Sequence, residues 1–179
     1  MSPYVVISVF SLITIYHHVV NWIEFANFAG ILVVFSILAP LTYVFIAVRR
    51  KKITDIHVFL KNQRMTPFIV AIVGSIFTLI CFYQYQAPTA LIIMAWALIV
   101  NGTVFAILSH YWKVSMHTAT FASSLTIASM LVSTNWLFLS PLILLIIWSR
   151  LARKKHTFSQ LLSAAILSPL ITVITILIF

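Results

Sequence analysis

Acidic residues are nearly missing from this chain. Glu24 and Asp55 stand alone against eleven Lys and Arg in 179 residues, for a formal net charge of +9. Charge of either sign is scarce, at 7% against about 25% in a soluble domain. Apolar residues take that space, making up 63% of the chain with a mean hydropathy of +1.13. An ordinary soluble globule is excluded, and a single integral membrane domain over 1–179 is expected. The positive excess needs no nucleic acid, because anionic lipid head groups and membrane orientation account for it. One cysteine, Cys81, excludes an internal disulfide and reads as a packing residue in an apolar run. The start, MSPYVVISVF, lacks a basic region and a small-residue cleavage site, so no cleavable signal is expected. There is no internal repeat, no low-complexity linker and no metal-ligand pattern.

What is present is a series of apolar runs. A crossing helix needs about 20 mostly apolar residues. Candidates run over Tyr4–Val20, Phe28–Val48, Pro67–Tyr83, Ala90–Leu108 and Phe158–Phe179. Pro67 suits the first turn of its helix. Two shorter runs, 118–132 and 136–148, hold about 14 residues each, roughly 21 Å of helix. They cross only if flanking residues extend them. Trp112, Trp136 and Trp148 read as interfacial anchors. The fold expected is an all-α polytopic transmembrane helix bundle with six or seven membrane segments.

The polar loops 49–66, 110–117 and 149–156 are separated by two helical hairpins, so all three face one side. They contain every Lys and Arg of the chain, and the turns around Trp22–Asn27, Gln84–Pro88 and Ser133–Asn135 contain none. The positive-inside rule makes the basic side cytoplasmic. A phosphate site would also collect such charge.

Three stretches carry candidate chemistry: Asp55–Pro67 (DIHVFLKNQRMTP), His110–His117 (HYWKVSMH) and Ser149–Gln160 (SRLARKKHTFSQ). Arg64 and Arg150 can each grip two phosphate oxygens, and Lys61 adds a point charge. Ser115, just before an apolar run, can offer a hydroxyl and a helix start whose N–H groups attract anions. His156 and His117 suit a nucleophile and an acid for the leaving oxygen. His156 lies four residues before Gln160; in a helix the two share a face, and the Gln160 carbonyl can fix the imidazole tautomer. Plainer readings stand beside these. Arg150 and Arg153–Lys155 also fit a cytoplasmic flank, and Lys61 and Arg64 fit snorkelling anchors. Thr157 and Gln160 fit a capping box. His17, His18, His57 and His110 read as interfacial, and Asp55 as a partner for a nearby base.

Taken together the stretches resemble the membrane-embedded type 2 phosphatidic acid phosphatases, which share their site with vanadium haloperoxidases. Ser149-Arg150, five residues, then His156 matches the third motif of that family, with Gln160 where the family has aspartate. Trp112-Lys113-Val114-Ser115-Met116-His117 is similar to the second motif of short bacterial and archaeal members, with Met116 at the glycine of the P-S-G-H form. Asp55, Lys61, Arg64 and Pro67 follow the first motif more loosely. The resemblance covers about 55–175. It implies a lipid phosphate phosphatase without metal or other cofactor, in the cell membrane of a prokaryote. It also implies that His156 forms a phosphohistidine and that His117 protonates the leaving group. Lys61, Arg64, Ser115, Arg150 and the Met116 amide would hold the phosphate. Gln160 would orient His156 without supplying a charge, for which Asp55 is a candidate. The implied partner is a lipid phosphate in the bilayer: a polyprenyl phosphate or diphosphate, phosphatidic acid or phosphatidylglycerophosphate. The other readings are a catalytically weak or inactive lipid-phosphate-binding protein of the same fold, and a transporter or channel subunit. Against the last, the ionisable residues lie in loops, not at mid-span.

Overall fold

Local chemistry sets where each helix begins and ends. In the computed structural model, which describes residues 3–54 and 63–179, α1 spans Pro3–His18. Asn21 caps the next helix, accepting the Glu24 N–H at 2.9 Å, while Glu24 accepts the Val20 N–H at 3.1 Å. This capping pair starts α2 at Trp22 (Trp22–Leu32), ahead of the Phe28 expected from hydropathy. A π-helical stretch, Val33–Leu38, carries α2 into α3 (Ala39–Arg49). Pro40 follows it by two residues; a proline ring clashes with the carbonyl four positions back, and a widened turn relieves that clash.

The remaining helices are α4 (Met65–Gln84), α5 (Thr89–Tyr111), α6 (Met116–Leu131), α7 (Leu142–Ala152) and α8 (Phe158–Ile178). A 3-10 turn, Thr134–Leu139, leads into α7. The described residues are all-helical, without strands. Five helices are long and apolar enough to cross a membrane: Trp22–Arg49, Met65–Gln84, Thr89–Tyr111, Thr134–Ala152 and Phe158–Ile178. The chain is therefore an integral membrane protein. The run expected at 136–148 lengthens at both ends and becomes one of the five, whereas α1 and α6 remain shorter.

Successive helices alternate in direction. Every Lys and Arg among the described residues lies at the end where α4, α6 and α8 begin. Helices α3, α4 and α7 finish in the same six-residue C-terminal turn. Its left-handed position is filled by Lys51 (φ 56), Gln86 (φ 51) and Lys154 (φ 51), with no glycine. The paired bonds are Lys52 N–H to Ala47 O, Ala87 N–H to Phe82 O and Lys155 N–H to Arg150 O. A side chain in this backbone region costs about 1 kcal/mol. Lys51→Gly should therefore raise the unfolding temperature in detergent; an unchanged or lower temperature would contradict the strain.

Helix α6 forms the centre, packed against α1, α5, α7 and α8. Its sequence, MHTATFASSLTIASML, is rich in Ala, Ser and Thr, and most of these are buried. Small side chains let helices approach closely inside a membrane. The hydroxyls return to their own helix, as in Ser123 to Thr120 O and Thr126 to Ala122 O. Between helices, Ser168 of α8 donates to Ala119 O at 2.6 Å and to Asn101 Oδ1 at 3.3 Å, and Asn101 Nδ2 donates to Thr172 Oγ1 at 3.0 Å. Each such bond contributes about 0.6 kcal/mol, rarely more than about 1.7. Together they tie α5, α6 and α8, two of which begin at the basic end.

Candidate active site

The helix boundaries at the basic end place four side chains around one cavity. Arg150 lies in the last turn of α7. Lys154 in its left-handed conformation reverses the chain, and Thr157 caps α8. His156 falls between turn and cap and is swung toward the start of α6. Arg64 is the residue before α4, and His117 is in the first turn of α6. Arg64, His117, Arg150 and His156 all line a cavity of about 240 Å³. Pro3 and Tyr4 of α1 and Met116 also border it, and none of the described lining residues is acidic.

Among the described residues, the charged side chains lining the cavity are basic. Arg64 is only 8% exposed, and its Nη1 donates to the Val114 carbonyl at 3.4 Å. Burial lowers the pKa of the Arg64 guanidinium from its ordinary value, and an anion placed against it would offset that cost. Arg150 Nε is buried and has no hydrogen-bond partner among the described residues. A buried, unpartnered guanidinium N–H is costly and is an available donor for a phosphate oxygen. Helix α6 adds the positive end of its dipole and the amide of Met116, its first residue.

His156 Nδ1 lies 3.3 Å from the Lys113 carbonyl oxygen. A carbonyl only accepts, so Nδ1 carries the proton and Nε2 of the neutral ring keeps its lone pair. Burial pushes the imidazole below its ordinary 6.5, and the charges of Arg64 and Lys113 act the same way; the Lys113 carbonyl and the Gln160 side chain oppose them. At neutral pH the ring is thus uncharged. A reaction that needs neutral His156 should hold its rate through pH 7, with the acid limb of kcat/KM below pH 6.5. Stability has the same sign, because the unfolded chain takes up the proton more readily and the fold weakens as pH falls through that region. A kcat/KM profile whose acid limb lies above 6.5 would contradict this environment.

Other sequence-expected residues stand apart from the cavity. Ser115 occupies the N-cap position of α6 without a side-chain capping bond, is fully buried and shares a hydrogen bond with Thr118 Oγ1 at 3.1 Å; it does not line the cavity. Gln160 makes the capping box: its Oε1 accepts the Thr157 N–H at 3.2 Å, and its own N–H reaches Thr157 Oγ1 at 3.4 Å. His156 precedes α8 and shares no helical face with Gln160, yet the Gln160 side chain still reaches the imidazole, alongside the Lys113 carbonyl at Nδ1. Asp55, Lys61 and His57 lie outside the described residues. The residues flanking that stretch are joined, with Thr54 N–H and Oγ1 both donating to Gln63 Oε1 at 3.1 Å. No group of three or more His, Cys, Asp or Glu suited to a metal occurs among the described residues.

Two contributors are invisible in the sequence: the Lys113 carbonyl, and the deep cavity wall of Ser36, Ser75, Asn101 and Ser168. A backbone carbonyl has no sequence signature. The wall residues lie inside runs that read only as apolar. Comparison with family models, with curated proteins and with solved structures gives no match for this chain.

Proposed function

We propose that this protein is a lipid phosphate phosphatase of the membrane, working through a phosphohistidine and without a metal. The observation that carries this reading is the meeting of Arg64, His117, Arg150 and His156 at the mouth of one cavity, with no acidic side chain among its described lining residues. Arg64, Arg150 and the Met116 amide would hold the phosphate, with Lys61 as a further candidate. His156 Nε2 attacks phosphorus as the bond to the lipid oxygen breaks, and His117 gives that oxygen its proton. His117 then takes a proton from water, whose oxygen attacks phosphorus. The P–N bond breaks, inorganic phosphate leaves, and neutral His156 is restored. The substrate class is a phosphomonoester or diphosphate of a lipid: polyprenyl, phosphatidic acid or phosphatidylglycerophosphate.

The topology that fits this reading has seven passes, α1 and α6 crossing with the five longer segments. The site then opens on the basic side, which the positive-inside rule makes cytoplasmic. A cysteine introduced in the 49–52 run should resist impermeant labelling from outside intact cells; ready labelling would reverse that orientation.

One observation favours a second reading. The partner of His156 Nδ1 is a neutral carbonyl, which stabilises an imidazolium less than a carboxylate does, and this suits a protein that binds lipid phosphates without turning them over. Purified protein given a lipid phosphate in excess EDTA decides between them. Vanadate-sensitive phosphate release is expected from the enzyme. Binding without release would leave the second reading.

A further inference from the structure

The cavity does not end at its charged mouth. It continues into the bundle between α4, α5, α6 and α8, past Phe105 and Gly102 to Leu98 and Asn101. Gly102 lies nine residues before the end of α5 at Tyr111, a depth of about 14 Å along the helix. There the wall is narrow: a Cβ on Gly102 would meet Ile72 Cγ1 of α4, another lining residue, at 3.2 Å. The polar groups at this depth are engaged by protein, Asn101 with Ala97 O and Thr172, and Ser168 with Ala119 O. The occupant therefore needs no polar group of its own at this level. A volume of about 240 Å³ is below the ~300–1,000 Å³ of pockets that enclose drug-sized ligands, so it has room for part of one chain.

We propose that this cavity holds the first segment of a single hydrocarbon chain inside the bundle, and that Gly102 and Ile72 determine which chains pass. The proposal rests on the lipid phosphate reading of the mouth. It narrows the substrate to a lipid phosphate with one chain next to the phosphate, polyprenyl or alkyl, over a two-chain phosphatidate.

The test measures binding of butyl, hexadecyl and phytanyl phosphates and of a phosphatidate to the full chain in nanodiscs, with phosphate release followed in parallel. The wild type should favour hexadecyl phosphate over both butyl phosphate and the phosphatidate. Gly102→Leu should reduce the hexadecyl-to-butyl ratio at least about tenfold, the scale of a blocked apolar contact. Ile72→Ala should move preference the other way, toward methyl-branched phytanyl phosphate. Ratios unmoved in both variants, or phosphatidate bound as tightly as hexadecyl phosphate, would overturn the proposal. Chain-selective binding without phosphate release would remove the phosphatase reading and leave the cavity assignment standing. Release with chain-blind binding would do the reverse.

Discussion

His156→Ala should lose phosphate release by at least about a thousandfold, the scale seen when a covalent nucleophile is removed. The expectation comes from ring geometry. Nδ1 is held by the Lys113 carbonyl, so Nε2 is left for attack, and burial keeps the ring neutral. Alanine removes the nucleophile and little else, since His156 lies in the turn before the Thr157 cap and carries none of the capping bonds. The variant should therefore unfold near the wild-type temperature. Full activity in a folded His156→Ala protein would refute the assigned chemistry. His156→Asn is the second variant and separates lost chemistry from lost folding. Its amide can still donate to the Lys113 carbonyl but cannot form the intermediate, so it should fold and release no phosphate.

The largest expected loss of stability is far from any charge. Gly74 of α4 faces the carbonyl of Phe35 in the π-helical stretch, and a Cβ there would collide with that oxygen. A backbone oxygen cannot rotate away as a long side chain can. Gly74→Ala must therefore push α4 from Val33–Leu38 and strain the Ser36 hydrogen bonds to Thr78 at 2.8 Å and Ser75 at 3.4 Å. Overpacking of this kind costs about 1–3 kcal/mol. Ser36 and Ser75 line the cavity, so activity should fall with stability. Gly30 is the control, because nothing lies within 4 Å of a Cβ built on it. Gly30→Ala should stabilise its helix by roughly 0.5–1 kcal/mol. Equal unfolding temperatures for the two variants would contradict the close contact.

Helix class and the clustering of charge at one end are legible in the sequence because both are properties of side-chain type. So is the spacing from Arg150 to His156: it is the length of a helix end, a left-handed turn and a cap. Hydropathy misplaces the start of α2 because Asn21 and Glu24 make Trp22–Asn27 look like a polar turn, when they cap a helix that begins there. It also understates α6, whose Ser and Thr residues lower the mean although they face protein and bond within it. Spacing alone makes Gln160 an orienting group. The structure keeps its side chain within reach of His156, engages its carbonyl in the cap as well, and adds a contact from Nδ1 to the backbone carbonyl of Lys113, a group every residue possesses. The widened turn at Val33–Leu38 and its contact with Gly74 depend on how two helices meet, which no local pattern encodes.

The most direct test of the central claim is to quench the purified protein during turnover of a lipid phosphate radiolabelled in its phosphoryl group. Acid-labile, base-stable label on the peptide containing His156, absent from His156→Ala, is the expected result. Phosphate release with no label on His156 would contradict the account.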